Sequence, residues 1–103
     1  MQAYVEVEVK QSPIHGLGVF ARRAFEADSF IGNYEGERTV VNGMYVLWVE
    51  YDHGEIAGID GKNELRYLNH ARPANACFRG HSLFALVDIP AGSEITFDYG
   101  EDW

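Results

Sequence analysis

The sequence predicts a mainly-β fold with one short helix late in the chain. Three observations carry this: the apolar residues fall in runs of strand length, eleven glycines punctuate them, and a single stretch, KNELRYLNHA, spaces its leucines as a helix would. With 103 residues the chain can bury one core but not two, so residues 1–103 are read as one domain.

Taken in order, YVEVEVK at Tyr4 to Lys10 alternates apolar and charged side chains, the period of a strand with one face buried and one in water. QSPIHGLG is a loop by its Pro and Gly content, and VFARRAF resumes an extended, apolar course. EADSF is turn-like, with Asp28 and Ser29 ahead of Phe30. FIGNYEGERTVV supplies β-branched and aromatic residues interrupted by Gly32 and Gly36. Asn42-Gly43 marks a hairpin or a loop tip. MYVLWVEY is an apolar run whose period does not separate strand from buried helix. DHGE is a turn, and IAGIDG a short strand followed by a turn. In KNELRYLNHA, Leu65 and Leu68 share a face while Glu64 and Arg66 point outward, and Pro73 stops the helix. SLFALVDI reads as a buried strand, PAGSE as a turn and ITFDY as the last strand.

Composition narrows the partners. Sixteen acidic residues against eight basic ones give a net charge of −8, which repels nucleic-acid phosphates and anionic membranes and favours a Lys- or Arg-rich partner. The single cysteine excludes an internal disulfide. MQAYVEVEVK has neither a basic leader nor an apolar run, so no signal peptide or membrane span is expected and the protein is placed inside the cell.

LNHARPANACF, residues 68–78, concentrates Asn, His and the cysteine. His70 and Cys77 lack a second cysteine at zinc spacing, and His15, His53 and His81 fall in unrelated segments, so no metal site is expected. Cys77 lies between Ala76 and Phe78 and reads as a small core residue rather than a nucleophile. On residue types alone the stretch is a surface loop after a helix. HGLG at His15 to Gly18 is either a tight turn or a place where backbone approaches a ligand. In EITFDYGEDW, Phe97 and Tyr99 share one strand face, with Asp98 on the other.

In combination these pieces say more. HGLGVFA, YEGE at Tyr34 to Glu37, IDG at Ile59 to Gly61, RYLNH at Arg66 to His70, Asn75 and GSEITFDYGEDW occur in the order and approximate spacing of the SET-domain protein-lysine methyltransferases, which the chain resembles from about Val7 to Trp103. The resemblance implies a SET-domain fold (β-clip) of small curled sheets, with a C-terminal segment threaded in a knot-like way. It implies an S-adenosylmethionine-dependent enzyme that methylates a lysine of a basic protein or peptide such as a histone tail, releasing S-adenosylhomocysteine. By the same resemblance, His15, Gly16, Leu17, Gly18, Tyr45, Asn69, His70 and Trp103 contact the cofactor. Tyr34, Phe97 and Tyr99 line the lysine channel, with Tyr99 at the reacting atoms, and Asn75 locks the loop around the threaded segment. Phe rather than Tyr at 97 implies room for di- or trimethylation.

The chain also departs from the family pattern. Ala71 and Arg72 stand where Ser and Cys are common, Pro73 comes one place early, and no cysteine-rich segment follows FDYG. The wall such a segment supplies falls to Trp103 with Glu101 and Asp102, or to a second copy in a homodimer. Two other readings remain open on sequence: a SET-fold module that binds basic peptides with little or no catalysis, and a β-rich interaction protein whose motif matches are coincidental.

Overall fold

A computed structural model describes residues 6–99. Tyr4 and Val5 of the first expected strand, and Glu101, Asp102 and Trp103, lie outside the described residues. Ten short strands and one 3₁₀ turn make up the described chain: β1 (Val7–Gln11), β2 (Leu17–Ala21), β3 (Phe30–Asn33), β4 (Gly36–Thr39), β5 (Val46–Glu50), β6 (Ile56–Gly61), the 3₁₀ turn (Glu64–Tyr67), β7 (Asn69–His70), β8 (Ala76–Arg79), β9 (Ser82–Ala85) and β10 (Glu94–Phe97). They form three small sheets, ordered β1-β2-β10-β7, β3-β9-β8 and β4-β6-β5.

The first sheet makes the site possible. β10, the last strand, lies between β2 and β7, antiparallel to the one and parallel to the other. Ile95 stands opposite Val19, and both are wholly buried. Asn75 fastens this strand from outside the ladder. Its side-chain amide donates to the Glu94 carbonyl at 2.8 Å and its Oδ1 accepts the Thr96 N–H at 2.8 Å. The side chain thus supplies the hydrogen bonds that a neighbouring strand would otherwise give.

Turns close the remaining strands where their chemistry predicts. Ser29 N–H reaches the Glu26 carbonyl with Asp28 at φ 70°, a left-handed position that Asp tolerates. Ser93 N–H reaches Pro90 with Gly92 at φ 87°, the glycine position of a type II turn. Tyr51 to Glu55 closes the β5–β6 hairpin. Asn42-Gly43 is a loop tip, since β4 and β5 flank β6 on opposite sides and do not pair with each other.

Several elements differ from the sequence reading. The helix expected over KNELRYLNHA is one 3₁₀ turn of four residues. Leu65 and Leu68 do share the core face, but Leu68 is already extended at ψ 130°. Parallel pairing with Thr96 and Phe97 then holds Asn69 and His70 as strand; tertiary pairing outweighs a weak local preference. MYVLWVEY resolves as β5. IAGIDG is strand throughout, the centre of its sheet. Its glycines are sites of close approach: a β-carbon on Gly58 would meet the Thr39 carbonyl and the Trp48 ring, and one on Gly61 the Tyr34 hydroxyl. SLFALVDI leaves its strand after Ala85, where Leu86 N–H turns to the Asn75 carbonyl and Leu86 and Val87 become exposed. Finally, ACFR is not a surface loop but β8, joined to β9 through Gly80 at φ 60°. Cys77 on it is half-buried beside a cavity rather than in the core.

Candidate active site

The HGLG loop is built for close packing. Gly16 sits at φ 44°, where a β-carbon is strained, and its Cβ position is open. Gly18 is different: a β-carbon there would strike the Glu94 carboxylate and the Ser12 side chain. That carboxylate, absent from the sequence expectations, holds the loop. It accepts from Ser12 Oγ at 2.8 Å and from Asn69 Nδ2 at 2.9 Å. The same Asn69 nitrogen donates to the His15 and Leu17 carbonyls at 3.1 and 3.0 Å. Asn69, only 8% exposed, therefore spends its donors on shaping the loop. Gly18→Ala should lower the thermal midpoint, since overpacking against the Glu94 carboxylate and Ser12 costs roughly 1–3 kcal/mol. An unchanged melting curve would refute the carboxylate contact.

Beside this loop lies a cavity of about 560 Å³. It is lined by His15, Gly16 and Leu17 from the loop, Met44 and Tyr45 from the β4–β5 connection, and Arg66 to His70 with Tyr99. This size suits a small-molecule site. Arg66 contributes its one guanidinium, held over the Tyr45 ring at 4.5 Å and donating to the Tyr67 hydroxyl at 2.8 Å. The sequence reading missed Arg66, although its place three residues before Asn69 would have flagged it.

A second cavity, about 540 Å³, opens between β5 and β8, each an outer strand of its sheet. Leu47 to Glu50, Ala76 to Phe78, Phe97 and Tyr99 line it. Tyr99 thus borders both cavities. Its hydroxyl donates to the Leu68 carbonyl at 2.5 Å, which the extended turn-exit at Leu68 presents. Its backbone N–H donates to His70 Nδ1 at 2.9 Å. The Asp98 carboxylate comes within 3.8 Å of the same nitrogen.

An aromatic series leads inward from Tyr99. Phe97 is 4.7 Å from it, Phe78 5.0 Å from Phe97 and Tyr34 5.8 Å from Phe78, ring centre to ring centre. Tyr34 is buried behind the cavities, donating its hydroxyl to the Tyr45 carbonyl at 2.5 Å. Burial pushes the Tyr34 phenol up to about 12 and raises that of Tyr99 as well. Both are neutral phenols at physiological pH. The structure therefore gathers His15, Gly16, Leu17, Tyr45, Asn69, His70 and Tyr99 at one cavity and Phe97 with Tyr99 at the other. Gly18 and Tyr34 stand directly behind them, and Trp103 lies outside the described residues. Among the described residues no group of three or more His, Cys, Asp or Glu is placed to hold a metal, and no helix is long and apolar enough to cross a membrane.

Among the described residues, three small sheets, with β10 inserted between β2 and β7, frame two cavities that share Tyr99. The family model described as the SET domain matches residues 16–100, and the chain belongs to that family. It is 30% identical to mouse "Histone-lysine N-methyltransferase NSD3" over 96% of its own length and 8% of that protein. It is 29% identical to human "Histone-lysine N-methyltransferase, H3 lysine-36 specific", covering 93% of this chain and 4% of that one. The chain thus spans less than a tenth of these relatives. Among solved structures, "Methyltransferase domain of human PR domain-containing protein 2" superposes with a TM-score of 0.70 at 26% identity, covering 98% of this chain and 82% of that one.

Proposed function

We propose that the protein is an S-adenosylmethionine-dependent protein-lysine methyltransferase that acts on a basic protein such as a histone. The observation that carries this reading is Tyr99, which borders two separate cavities. A donor held in one and a lysine entering from the other would meet at its hydroxyl.

The residues of the first cavity fit the cofactor. Arg66 offers its carboxylate a charge partner, the HGLG backbone lets it approach closely, and Tyr45 and Tyr67 supply aromatic surface. When bound, S-adenosylmethionine supplies a methyl group on a sulfonium. The chain's own task is to align the amine and keep it uncharged, because displacement needs orientation more than acid–base machinery. Lysine titrates near pKa 10.4 in water, and an aromatic wall that displaces that water penalises its charged form. Phe97 and Tyr99 provide that wall. With its proton committed to Leu68, the Tyr99 oxygen keeps its lone pairs for the positive charge developing beside it. As a neutral phenol it does not take the lysine proton, which leaves to water.

The second cavity suits an extended peptide. Its sides are β5 and β8, strands that each have one edge without a sheet neighbour among the described residues, so a substrate strand could pair there while its lysine points inward. The chain's net charge of −8 and Glu50 at the cavity wall favour basic flanking residues. A homodimer would close the same groove if the last residues do not.

Phe97 sets the product. With no hydroxyl to hold a water against the amine, methylated lysine keeps room to rotate and react again. Incubating the protein with S-adenosylmethionine and histones should yield di- or trimethyllysine by mass spectrometry, and Phe97→Tyr should shift the product toward monomethyllysine. Absence of any transfer, together with no calorimetric heat from S-adenosylmethionine or S-adenosylhomocysteine, would overturn the enzyme reading in favour of a binding module. Exhaustive reaction that stops at monomethyllysine would overturn the assignment of Phe97.

A further inference from the structure

The backbone ladder between β7 and β10 is short. It pairs Thr96 with Asn69 and Phe97 with His70, and one more backbone bond follows, from Ala71 N–H to the Phe97 carbonyl at 3.3 Å. Beyond that point the two segments stay joined through side chains. His70 Nδ1 accepts the Tyr99 N–H. Arg72 then donates to both oxygens of Asp98, from Nε and from Nη2, each at 2.9 Å. Two parallel bonds to one carboxylate fix direction as well as distance. Asp98 is the residue between Phe97 and Tyr99, so whatever fixes its side chain fixes the step that presents Tyr99.

We infer that Arg72 is a positioning residue: its two-bonded grip on Asp98 extends the β7–β10 ladder and holds the Tyr99 hydroxyl against Leu68, at the boundary of the two cavities. The inference deepens the proposed methyltransferase function and rests on it for its catalytic readout. It gives a role to Arg72, which stands at one of the positions where this chain departs from the SET-domain pattern. The neighbouring Pro73 follows a cis peptide bond, and Pro73 and Asp98 both face the peptide-side cavity. The grip also sets a guanidinium beside the Asp98 carboxylate on the cavity wall. Without that positive charge, Asp98 would favour the charged form of an incoming lysine more strongly, opposing the displacement.

The pair is solvent-exposed, with the Arg72 and Asp98 side chains 54% and 43% accessible, so it adds little to global stability. Its loss should be visible in the site and not in the melting temperature. The test compares Arg72→Ala and Arg72→Lys with wild type by three measurements: hydrogen exchange of the Tyr99 amide, steady-state kinetics on a lysine peptide, and calorimetric affinity for S-adenosylhomocysteine. Arg72→Ala should exchange the Tyr99 amide roughly tenfold faster, as expected for local opening. It should also lower kcat by about tenfold, since small misplacements of an aligning group are costly. Cofactor affinity should fall by less than kcat does, because Arg72 does not itself line that cavity and reaches it only through Tyr99. Arg72→Lys, which keeps charge but not the two-bonded fork, should fall between the two. Unchanged exchange in Arg72→Ala overturns the positioning role outright. Faster exchange with unchanged kcat overturns its catalytic importance. A kcat loss matched by a collapse in melting temperature assigns Arg72 to folding instead. If the wild type itself transfers no methyl, the proposed function fails, while the exchange measurement still decides whether Arg72 holds Tyr99.

Discussion

Replacing Tyr99 with Phe should reduce kcat by roughly 10²–10³-fold, the usual cost of deleting one group that faces developing charge, while the affinity for S-adenosylhomocysteine changes little. The hydroxyl is the only group removed. Its bond to the Leu68 carbonyl fixes the ring between the two cavities, and in the proposed reaction its lone pairs would serve the place where sulfonium, methyl and amine align. The ring itself, packed against His70 at 5.2 Å and Phe97 at 4.7 Å, remains to line both. Pre-steady-state kinetics with a lysine peptide, paired with calorimetry on the cofactor product, separates the effects. Equal losses in turnover and in cofactor affinity would mean that Tyr99 shapes the pocket rather than the reaction.

The largest effect on stability should come from Asn75→Ala. Asn75 provides a donor for the Glu94 carbonyl and an acceptor for the Thr96 N–H, on a strand whose Ile95 is wholly buried. Removing both leaves two backbone groups of β10 without those partners. A loss of about 3 kcal/mol follows from the cost of unsatisfied buried groups, read as a drop on the order of 15 °C in the unfolding midpoint for a domain of this size. Asn75→Asp keeps the acceptor and loses the donor, so it should fall between. A drop in Asn75→Ala of under about 3 °C, below 1 kcal/mol on the same scale, would mean that the clasp contributes nothing to holding β10.

Much of the fold was legible because strand period, turn glycines and proline survive into the structure nearly one for one. β1, β2 and β10, and the turns at Asp28, Gly54 and Gly92, follow from local chemistry. What was not legible depended on partners distant in sequence. The helical spacing of Leu65 and Leu68 is real, yet the following residues pair with a strand 27 positions later, and no local signal announces that. ACFR has the composition of a strand but sits in a segment crowded with Asn, His and Pro, which drew attention from its backbone. Legibility of the site was split in the same way. The residue types proposed to touch a ligand, the glycines, tyrosines and histidine, form motifs that can be matched in order. The groups that hold them in place, Glu94 beneath Gly18 and Arg72 on Asp98, have meaning only once the last strand is in place. Arg66 was the exception, a residue inside a quoted motif that electrostatics alone could have marked as the partner for an anionic end.

The Ser12–Glu94 contact joins positions 82 residues apart, and it implies an order of events during synthesis. The HGLG loop emerges from the ribosome first, and the carboxylate that shapes it follows only after the strands between them. Until then the nascent chain has no pocket to offer, so the small molecule that would stabilise the finished protein by mass action cannot guide its folding. Protection by ligand begins only once Glu94 has emerged and β10 has joined β2.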